Sequence, residues 1–488
     1  MTFYWIMRNR CLTNSVYING ERKYGGYFLG DISENVKLKH IRLMKNIIRV
    51  STILLLLDTL TINAQEVAPD SAKLQNQTST NTASQDVYSE TAKSLIPTVK
   101  AGNDIKLKIG GFFRAEYYVD SREIVGACDD LFGFFPEDKV YDSNGKDLNK
   151  VVRQNISTQA TRLTTTFEGP KLGKADSKAY IEFDFSGGNS VNVRLRQAWA
   201  KLTWQKGELL WGKAWSPFAD IPFPYVAGLH TGIPFRQFSR GDQVRFTFKP
   251  SQHVSLVAAG LYQTEHKSVL EASSNGDIRQ NPIPEFHLQW RYSSPTFSAG
   301  LLGEFKSIRP ATKVTNAAGE VSKTDKRVNS YALGYYAQYL SGKLGLKTGG
   351  LYGLNLSDYF QQGGYAVKSV DPNTGKRSYA PSKVTSYWLN ISYGKKWAPS
   401  LFVGYTKNLG FTDDILAGGD FFGRWQNVDQ VFRLAPSLKF SHKQWTIQGE
   451  IDYDNVAYGN VDYADHGKVK DTHNVQGVRG LIATTFFF

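Results

Sequence analysis

Cysteine, long apolar runs and catalytic motifs are all scarce in this sequence of 488 residues. Its two cysteines, Cys11 and Cys128, are too few for a disulfide framework or a cysteine-based metal site. After residue 65 there is no uncharged apolar run of about eighteen residues, which excludes membrane-spanning helices from that part of the chain. A membrane-spanning β-barrel remains compatible with this pattern, because each of its strands is apolar on only one face.

Signatures of catalysis and of nucleic-acid binding are missing as well. The histidines after residue 64 form no His-Glu-x-x-His motif, no Gly-x-Ser-x-Gly elbow occurs, and no glycine-rich phosphate loop precedes a helix. We therefore expect no catalytic residues, cofactor or metal ion. The formal net charge is +14, but the lysines and arginines are scattered among acids. This favours a solvated surface with a mildly basic interior over a nucleic-acid partner.

Residues 44–64 have the layout of a secretory signal peptide. Lys45 and Arg49 are basic, residues 53–57 are apolar, and small residues precede a cleavage site before Gln65. A short buried helix is the alternative interpretation of this segment.

The signal peptide makes Met44 the expected start of the protein and residues 1–43 an upstream over-extension. Residues 65–104 are rich in small polar side chains, which bury too little apolar surface to order themselves, so we expect a flexible periplasmic extension. A short helix or an oligomerisation segment around residues 87–95 is the alternative. Residues 105–488 are expected to form the folded domain.

From residue 105 onward, strands alternate with connections of two kinds. About sixteen strands are predicted, joined by short turns on one side and mostly long loops on the other. This is an all-β pattern typical of a transmembrane antiparallel β-barrel with short periplasmic turns and long extracellular loops. The long loops are predicted to end near Ser157 and to span 214–241, 265–281, 307–326, 356–382, 411–424 and 455–472.

Alternation within the strands favours lipid over a soluble sandwich. Phe183 and its apolar neighbours alternate with Glu182 and Asp184, and the chain ends on aromatic Phe488. A soluble sandwich would need a second packed sheet and would not produce the rule of short turns and long loops. After Leu195 the apolar residues change face, which predicts a bulge or a face packed against a neighbouring subunit.

Charged side chains on the predicted inward faces form a candidate pore lining. The basic candidates are Arg114, Arg194, Arg196, Arg245 and Lys249, and the acidic candidates, on neighbouring strands, are Glu116, Glu182 and Asp184. Basic residues on one wall and acids on the other would orient an anionic or dipolar solute, and a narrow basic path would favour anions. Alternatively, these charges form neutralising ladders that only stabilise the polar interior.

The loop 214–241 is unusually rigid and apolar for a loop exposed to water. Its stiffening and apolar residues are Trp215, Pro217, Phe218, Pro222, Phe223 and Pro224. We predict that the loop folds into the barrel as a constriction, with Asp220, Arg236 and Arg240 lining the opening. The alternative is an external loop that packs on its own barrel or on a neighbour.

The succession VRLRQAWAKL, LLWGKAWSPFAD, a proline-containing loop and QVRFTF resembles the DcaP-like trimeric outer-membrane porins. The resemblance is densest over residues 105–250, and LLWGKAWSPF is similar to a motif of phosphate-selective porins as well. One feature departs from the family pattern, because residues 66–100 contain no heptad that would match its coiled-coil-like N-terminal segment.

The resemblance implies a homotrimeric channel in the outer membrane of a Gram-negative bacterium, in contact with lipid and lipopolysaccharide. It further implies passive uptake of small anions such as dicarboxylates through a constriction lined by Arg194 and Arg196. The alternative functions are a barrel hydrolase and a surface-binding or adhesin barrel without conductance.

Overall fold

The computed structural model describes residues 98–100, 105–128, 130–187, 192–271 and 281–488. The predictions for the over-extension 1–43, the signal peptide 44–64 and most of the extension 65–104 lie outside these residues. Within the extension, Thr98–Lys100 forms a short strand that pairs with the beginning of the folded domain. In the described part of the chain, no helix combines the length and the apolar character needed to cross a membrane.

The described residues form strands β1 to β24 and a 3₁₀ turn, Ser357–Tyr359. The strands are β1 (Thr98–Lys100), β2 (Lys106–Asp120), β3 (Ile124–Ala127), β4 (Phe132–Pro136), β5 (Arg153–Ser157), β6 (Arg162–Glu168), β7 (Asp176–Asp184), β8 (Arg194–Trp204), β9 (Gly207–Trp215), β10 (Arg240–Phe248), β11 (Val254–Tyr262), β12 (Glu285–Ser293), β13 (Phe297–Ile308), β14 (Lys313–Thr315), β15 (Val321–Lys323), β16 (Val328–Ser341), β17 (Leu344–Leu354), β18 (Gly363–Val370), β19 (Arg377–Tyr393), β20 (Trp397–Phe411), β21 (Phe421–Arg424), β22 (Val428–His442), β23 (Trp445–Asp462) and β24 (Lys468–Phe487).

Sixteen of these strands close into an antiparallel barrel, which confirms the predicted fold. They are β2, β6 to β13, β16, β17, β19, β20 and β22 to β24. Each pairs with the next strand of the set, and the barrel closes where the last strand meets the first, with Phe112 opposite Phe487. Closure leaves no free sheet edge, as a strand-built membrane protein requires.

The two faces of the barrel wall differ in polarity. In β12, Phe286, Leu288 and Trp290 are exposed on the outside, whereas Glu285 and His287 are buried inside. A soluble barrel would bury the apolar face and expose the charges. An apolar exterior around a polar interior is the arrangement of a barrel that crosses lipid.

The strand β8 contains a β-bulge just after Leu195, where the sequence predicted that the apolar residues change face. Glu182 pairs with Gln197 and Phe183 with Leu195, so Arg196 is an extra residue without an opposite partner. Such a bulge re-aims side chains. As a result, Arg196 and Gln197 are both buried on the inner side although they are adjacent in sequence.

The prediction of a long loop over 455–472 was wrong. β23 and β24 continue as a paired ribbon to Asp462 and Lys468, which leaves only 463–467 as the connection. The loop 356–382 also contains more structure than expected, because β18 pairs with β19 and β21. Strands that extend beyond the lipid lose the strict alternation of polar and apolar residues, so their sequence resembles that of loops.

An arginine on the outer face of the wall is expected to destabilise the barrel strongly. Leu288→Arg replaces a side chain that is 67% exposed in the middle of β12, and it should cost about 2–4 kcal/mol in lipid. The matched control is Val321→Arg, at a residue that is 66% exposed in the β14–β15 hairpin and should tolerate the change within about 0.5 kcal/mol. Urea unfolding in lipid vesicles measures both. Equal tolerance of the two variants would contradict a lipid-facing exterior.

Candidate functional site

Residues 216–239, between β9 and β10, form an inner loop that folds into the barrel. Almost all of its side chains are buried. Backbone N–H groups of Ala227 and Gly228 donate to the Glu450 carboxylate at 2.6 and 3.0 Å, and the Thr231 hydroxyl donates to it at 2.5 Å. On another part of the wall, Asn390 Oδ1 accepts from the Tyr225 N–H at 2.7 Å. The structure thus places the loop inside the barrel and not on its outer surface.

Arg433 ties the inner loop to a second inserted segment. Its guanidinium donates to the carbonyls of Thr231 and Ile233 at 3.0 and 3.2 Å, and to the carbonyl of Phe134 in β4 at 2.7 Å. Two further bonds, at 2.7 and 2.9 Å, join it to Asp454 of β23. One buried arginine therefore holds the inner loop, the β3–β4 hairpin and the barrel wall together.

Three of the predicted lining residues hold the inner loop in place. Arg245 Nη1 lies 2.9 Å from Asp220 Oδ2, which fixes the first part of the loop to β10. Arg236 lies within the loop and donates to its own carbonyls, among them those of Ala219 and Ile221 at 2.9 and 2.8 Å. Burial, opposed by the charge of Asp220, lowers the pKa of Arg236 to about 9, so the side chain keeps its charge at neutral pH.

A narrow cavity, open to solvent on one side, lies between the inner loop and the wall formed by β6 to β8. The side contributed by the loop is mostly apolar and includes Phe223, Pro224, Val226, Leu229 and Ile233. The charged lining consists of Arg162, Asp184, Arg194, Arg196 and Arg236. Three arginines and one aspartate of the wall therefore face a mostly apolar loop surface, to which Arg236 adds one further charge.

The charged wall is a ladder of ion pairs. Asp184 Oδ2 lies 2.7 Å from both Arg194 Nη2 and Arg196 Nη1, while Arg196 also bonds Glu182 through its Nε. Arg162 Nε lies 3.3 Å from Glu182 Oε1. The inward charges therefore pair with one another, as the alternative interpretation of a neutralising ladder predicts. The pairing is incomplete, because three arginines face two acids and one positive charge remains in excess.

The ladder continues to the mouth of the barrel through Glu265. Its carboxylate lies 3.3 Å from Arg194 Nη1 and 2.5 Å from Arg240 Nη2, and Lys213 Nζ approaches it at 3.5 Å. Burial raises the pKa of Glu265, but the nearby Arg240 and its neighbours outweigh burial and hold the pKa well below its usual range. The carboxylate is therefore ionised, and the basic charges around it remain in excess.

The structure brings only part of the predicted set to the cavity. Trp215, Asp184, Arg194, Arg196 and Arg236 line it, whereas Arg114, Glu116, Glu182, Phe218, Asp220, Arg240, Arg245 and Lys249 do not. Arg114 is fully buried and bonds Glu116 and the carbonyl of Ala227. It points inward as alternation predicts, but the inner loop covers it, so it supports the loop and does not face the cavity.

A solved structure has the same architecture. DcaP, an outer-membrane channel of Acinetobacter baumannii, superposes with a TM-score of 0.58 at 17% sequence identity, covering 80% of this chain and 99% of that chain. This chain has the DcaP fold. The resemblance drawn from the sequence motifs is thereby confirmed at the level of the fold.

Two other solved structures match more weakly. They are the anion-selective porin from Comamonas acidovorans, at 11% identity and a TM-score of 0.48, and OmpT of Vibrio cholerae, at 10% and 0.47. The matches cover 79% and 80% of this chain and 100% of each of the other chains, and both are too weak to carry an argument. No protein-family model matches the sequence, and no curated protein matches it.

Sequence reasoning missed Glu450, which anchors the inner loop, and two residues that line the cavity. Glu450, Asp452 and Asp454 make an acidic row along the inner face of β23, opposite in charge to the arginine wall. Their spacing of two residues was the available signal. Arg162 lines the cavity together with Arg194 and Arg196. Polar and apolar residues alternate only weakly in its strand, β6, so the sequence did not indicate which way the Arg162 side chain points.

His230, near the tip of the inner loop, is a further lining residue that the sequence did not single out. Its Nε2 lies 3.2 Å from Arg479 Nη1. Burial, together with the positive charges of Arg479 and Arg433, holds the pKa of His230 well below its usual range. The imidazole is therefore neutral at neutral pH and adds no charge to the cavity.

Proposed function

We propose that this protein is a passive outer-membrane diffusion channel for small hydrophilic solutes, with a preference for anions such as dicarboxylates. The observation that carries the proposal is the cavity between the inner loop and the arginine wall. Fixed positive charges beside an apolar surface concentrate anions, because the low-dielectric side does not screen them. Guanidinium groups also match carboxylates geometrically, since their planar donors pair with both oxygens.

The surroundings of the cavity support a route for solutes through a membrane. The apolar exterior suits lipid, and the fold is shared with a protein described as an outer-membrane channel. Export would use the signal peptide predicted at 44–64. From the resemblance to DcaP-like porins we further propose a homotrimer in the outer membrane of a Gram-negative bacterium, surrounded by lipid and lipopolysaccharide.

Arg194 is the side chain best placed to meet a solute. It lines the cavity with 15% of its side chain exposed, whereas Arg196 is only 4% exposed beneath its carboxylate partners. Arg194 shares Asp184 with Arg196 and Glu265 with Arg240, so its charge is only partly neutralised. Weak neutralisation suits a channel, because a solute must bind well enough to enter and loosely enough to leave.

The reversal potential across a salt gradient in planar bilayers tests this function. We expect an anion-selective potential for protein starting at Gln65 and a clear shift toward zero for Arg194→Gln, which removes a charge from the cavity. The matched control is Arg377→Gln, at the beginning of β19. The Arg377 guanidinium does not line the cavity and lies 2.8 Å from the Asp420 carboxylate, so this substitution should leave the selectivity unchanged.

Two results would overturn the proposal. Equal permeation of small anions and cations at low salt would refute the anion preference. Insertion of the barrel without current would refute the channel itself and favour a surface-binding or hydrolytic barrel instead.

A further inference from the structure

Three buried carboxylates converge on the inner side of the wall, away from the cavity. They belong to Glu285 at the start of β12, Glu304 in β13 and Asp358 in the 3₁₀ turn Ser357–Tyr359. One oxygen of each lies within 4.8 Å of the others. Like charges held this close out of water repel strongly, so the cluster requires compensation by cations or protons.

Lys306 supplies only part of that compensation. Its ammonium lies 2.6 Å from Asp358 Oδ1 and 3.4 Å from Glu304 Oε1, and within the described ranges no other lysine or arginine comes within 4 Å of the three carboxylates. The Gln263 amide donates to Glu285 and Asp358 but carries no charge. If all three carboxylates are ionised, one ammonium leaves two negative charges for a further cation or for protons to offset.

A fourth side chain points at the cluster without a hydrogen-bond partner. His287 is 1% exposed, and neither of its ring nitrogens is hydrogen-bonded to a described residue. Its Nε2 lies 3.8 Å from Glu285 Oε2, too long for a hydrogen bond. Both oxygens of Glu304 also lack hydrogen bonds within the described part of the chain. Buried polar groups are almost always satisfied, so an imidazole and a carboxylate in this state indicate a ligand between them.

We propose that Glu285, Glu304, Asp358 and His287 bind one divalent transition-metal ion of the Mn²⁺ or Zn²⁺ class. Two ligand atoms that share one ion at about 2.1 Å each lie roughly 3–4 Å apart, which fits the distance between His287 and Glu285. An imidazole among carboxylates suits Mn²⁺ or Zn²⁺, whereas Ca²⁺ and Mg²⁺ take oxygen ligands. One divalent ion cancels the two uncompensated charges while Lys306 keeps its place.

No motif in the sequence points to this site, and we expected no metal ion from it. Three elements supply the ligands, and the only short spacing is the one between Glu285 and His287 on one face of β12. Motif searches recognise close spacings along one element, whereas here strand pairing brings His287 opposite Glu304. The third carboxylate arrives from a loop more than fifty residues later in the chain.

The ion would fasten the 3₁₀ turn to the wall and, through it, support the inner loop. Tyr359 follows Asp358 directly, and its ring packs against Phe218 with the centroids 5.4 Å apart. Its carbonyl accepts the N–H of Phe238 at 3.1 Å. The turn thus contacts both ends of the inner loop, so binding of the ion is expected to raise the temperature at which the barrel unfolds.

Metal binding by the full chain in detergent tests this assignment independently of any channel activity. Protein stripped with a chelator is titrated with Mn²⁺ and followed by electron paramagnetic resonance, with the bound metal counted by elemental analysis. We expect one ion per chain and at least about tenfold weaker binding in Glu304→Gln and in His287→Leu. His287→Leu removes no hydrogen bond, so it keeps the test valid if Glu304→Gln fails to fold.

The matched control is Glu208→Gln, which alters another inward carboxylate, paired with Lys201 and Lys249, and should bind the ion as the parent does. Zn²⁺ should compete with Mn²⁺, and Ca²⁺ should not. Absence of a bound ion, binding that both ligand variants retain, or competition by Ca²⁺ alone would each overturn the assignment.

Discussion

Arg433→Met is expected to destabilise the barrel by about 3–5 kcal/mol, the cost of removing one partner of a buried ion pair. Arg433 is 1% exposed and forms a two-bond pair with Asp454. Methionine fills a similar volume but leaves the Asp454 carboxylate buried without its counter-charge. The carbonyls of Thr231 and Phe134 also lose their donor, and each such loss adds to the cost. The midpoint of urea unfolding in lipid vesicles measures the effect.

Two further variants test whether the destabilisation comes from leaving a buried charge unpaired and not simply from removing an arginine. Arg153→Met removes an arginine whose side chain is 32% exposed, although it pairs with Asp130 at 2.7 Å, and should cost no more than about 1 kcal/mol. The double variant Arg433→Met/Asp454→Leu removes both buried charges and should recover part of the loss. Equal destabilisation by the two single variants would contradict the anchoring role of Arg433.

The barrel was predictable because its rule is local. In each strand, neighbouring side chains point to opposite sides, and here one side meets lipid and the other the interior. The alternation of Leu288 and His287 in β12 is enough to assign a face to each, whatever the rest of the chain does. The alternation is lost where the strands extend beyond the lipid. The outer parts of β23 and β24 were therefore predicted to be a loop, although they are paired strands.

The fold of the inner loop was predictable in outline for a different reason. A segment that carries Phe218, Phe223 and four prolines is costly to leave in water, so burial was the expected outcome. What the loop would cover was not predictable. Arg114 and Arg245 point inward as alternation requires, but alternation does not say whether the inner loop covers them. Arg114 contacts Ala227, more than a hundred residues later in the chain, and Arg245 contacts Asp220 at the other end of the loop.

The assignment of charges to opposite walls needed correction. Glu182 and Asp184 were placed on neighbouring strands, and they belong to β7, directly beside the arginine strand β8, so they do not form a separate acidic wall. Inward charges of opposite sign on adjacent strands lie close enough to pair, and they form the ladder with Arg196. Another row of acids lies on β23, and the neighbours of a strand in a closed barrel cannot be inferred from the composition of that strand alone.

Release of the inner loop is the second large effect that the structure predicts. Glu450 is 3% exposed and accepts two backbone N–H groups and one hydroxyl from the loop. Glu450→Leu keeps the approximate volume but leaves these three donors buried without an acceptor, at about 1–3 kcal/mol for each. The inner loop is therefore expected to detach from β23 and to obstruct less of the barrel interior. The single-channel conductance in planar bilayers should then rise severalfold.

Thr446→Val is the matched control, because Thr446 lies on the same inner face of β23 and is similarly buried. It should leave the conductance unchanged, which separates movement of the loop from a general disturbance of the strand. If instead Glu450→Leu inserts normally and its conductance equals that of the parent, the loop does not limit the current. The narrow part of the path would then lie elsewhere, and the β3–β4 hairpin, which Arg433 holds against the same loop, would be the next segment to release.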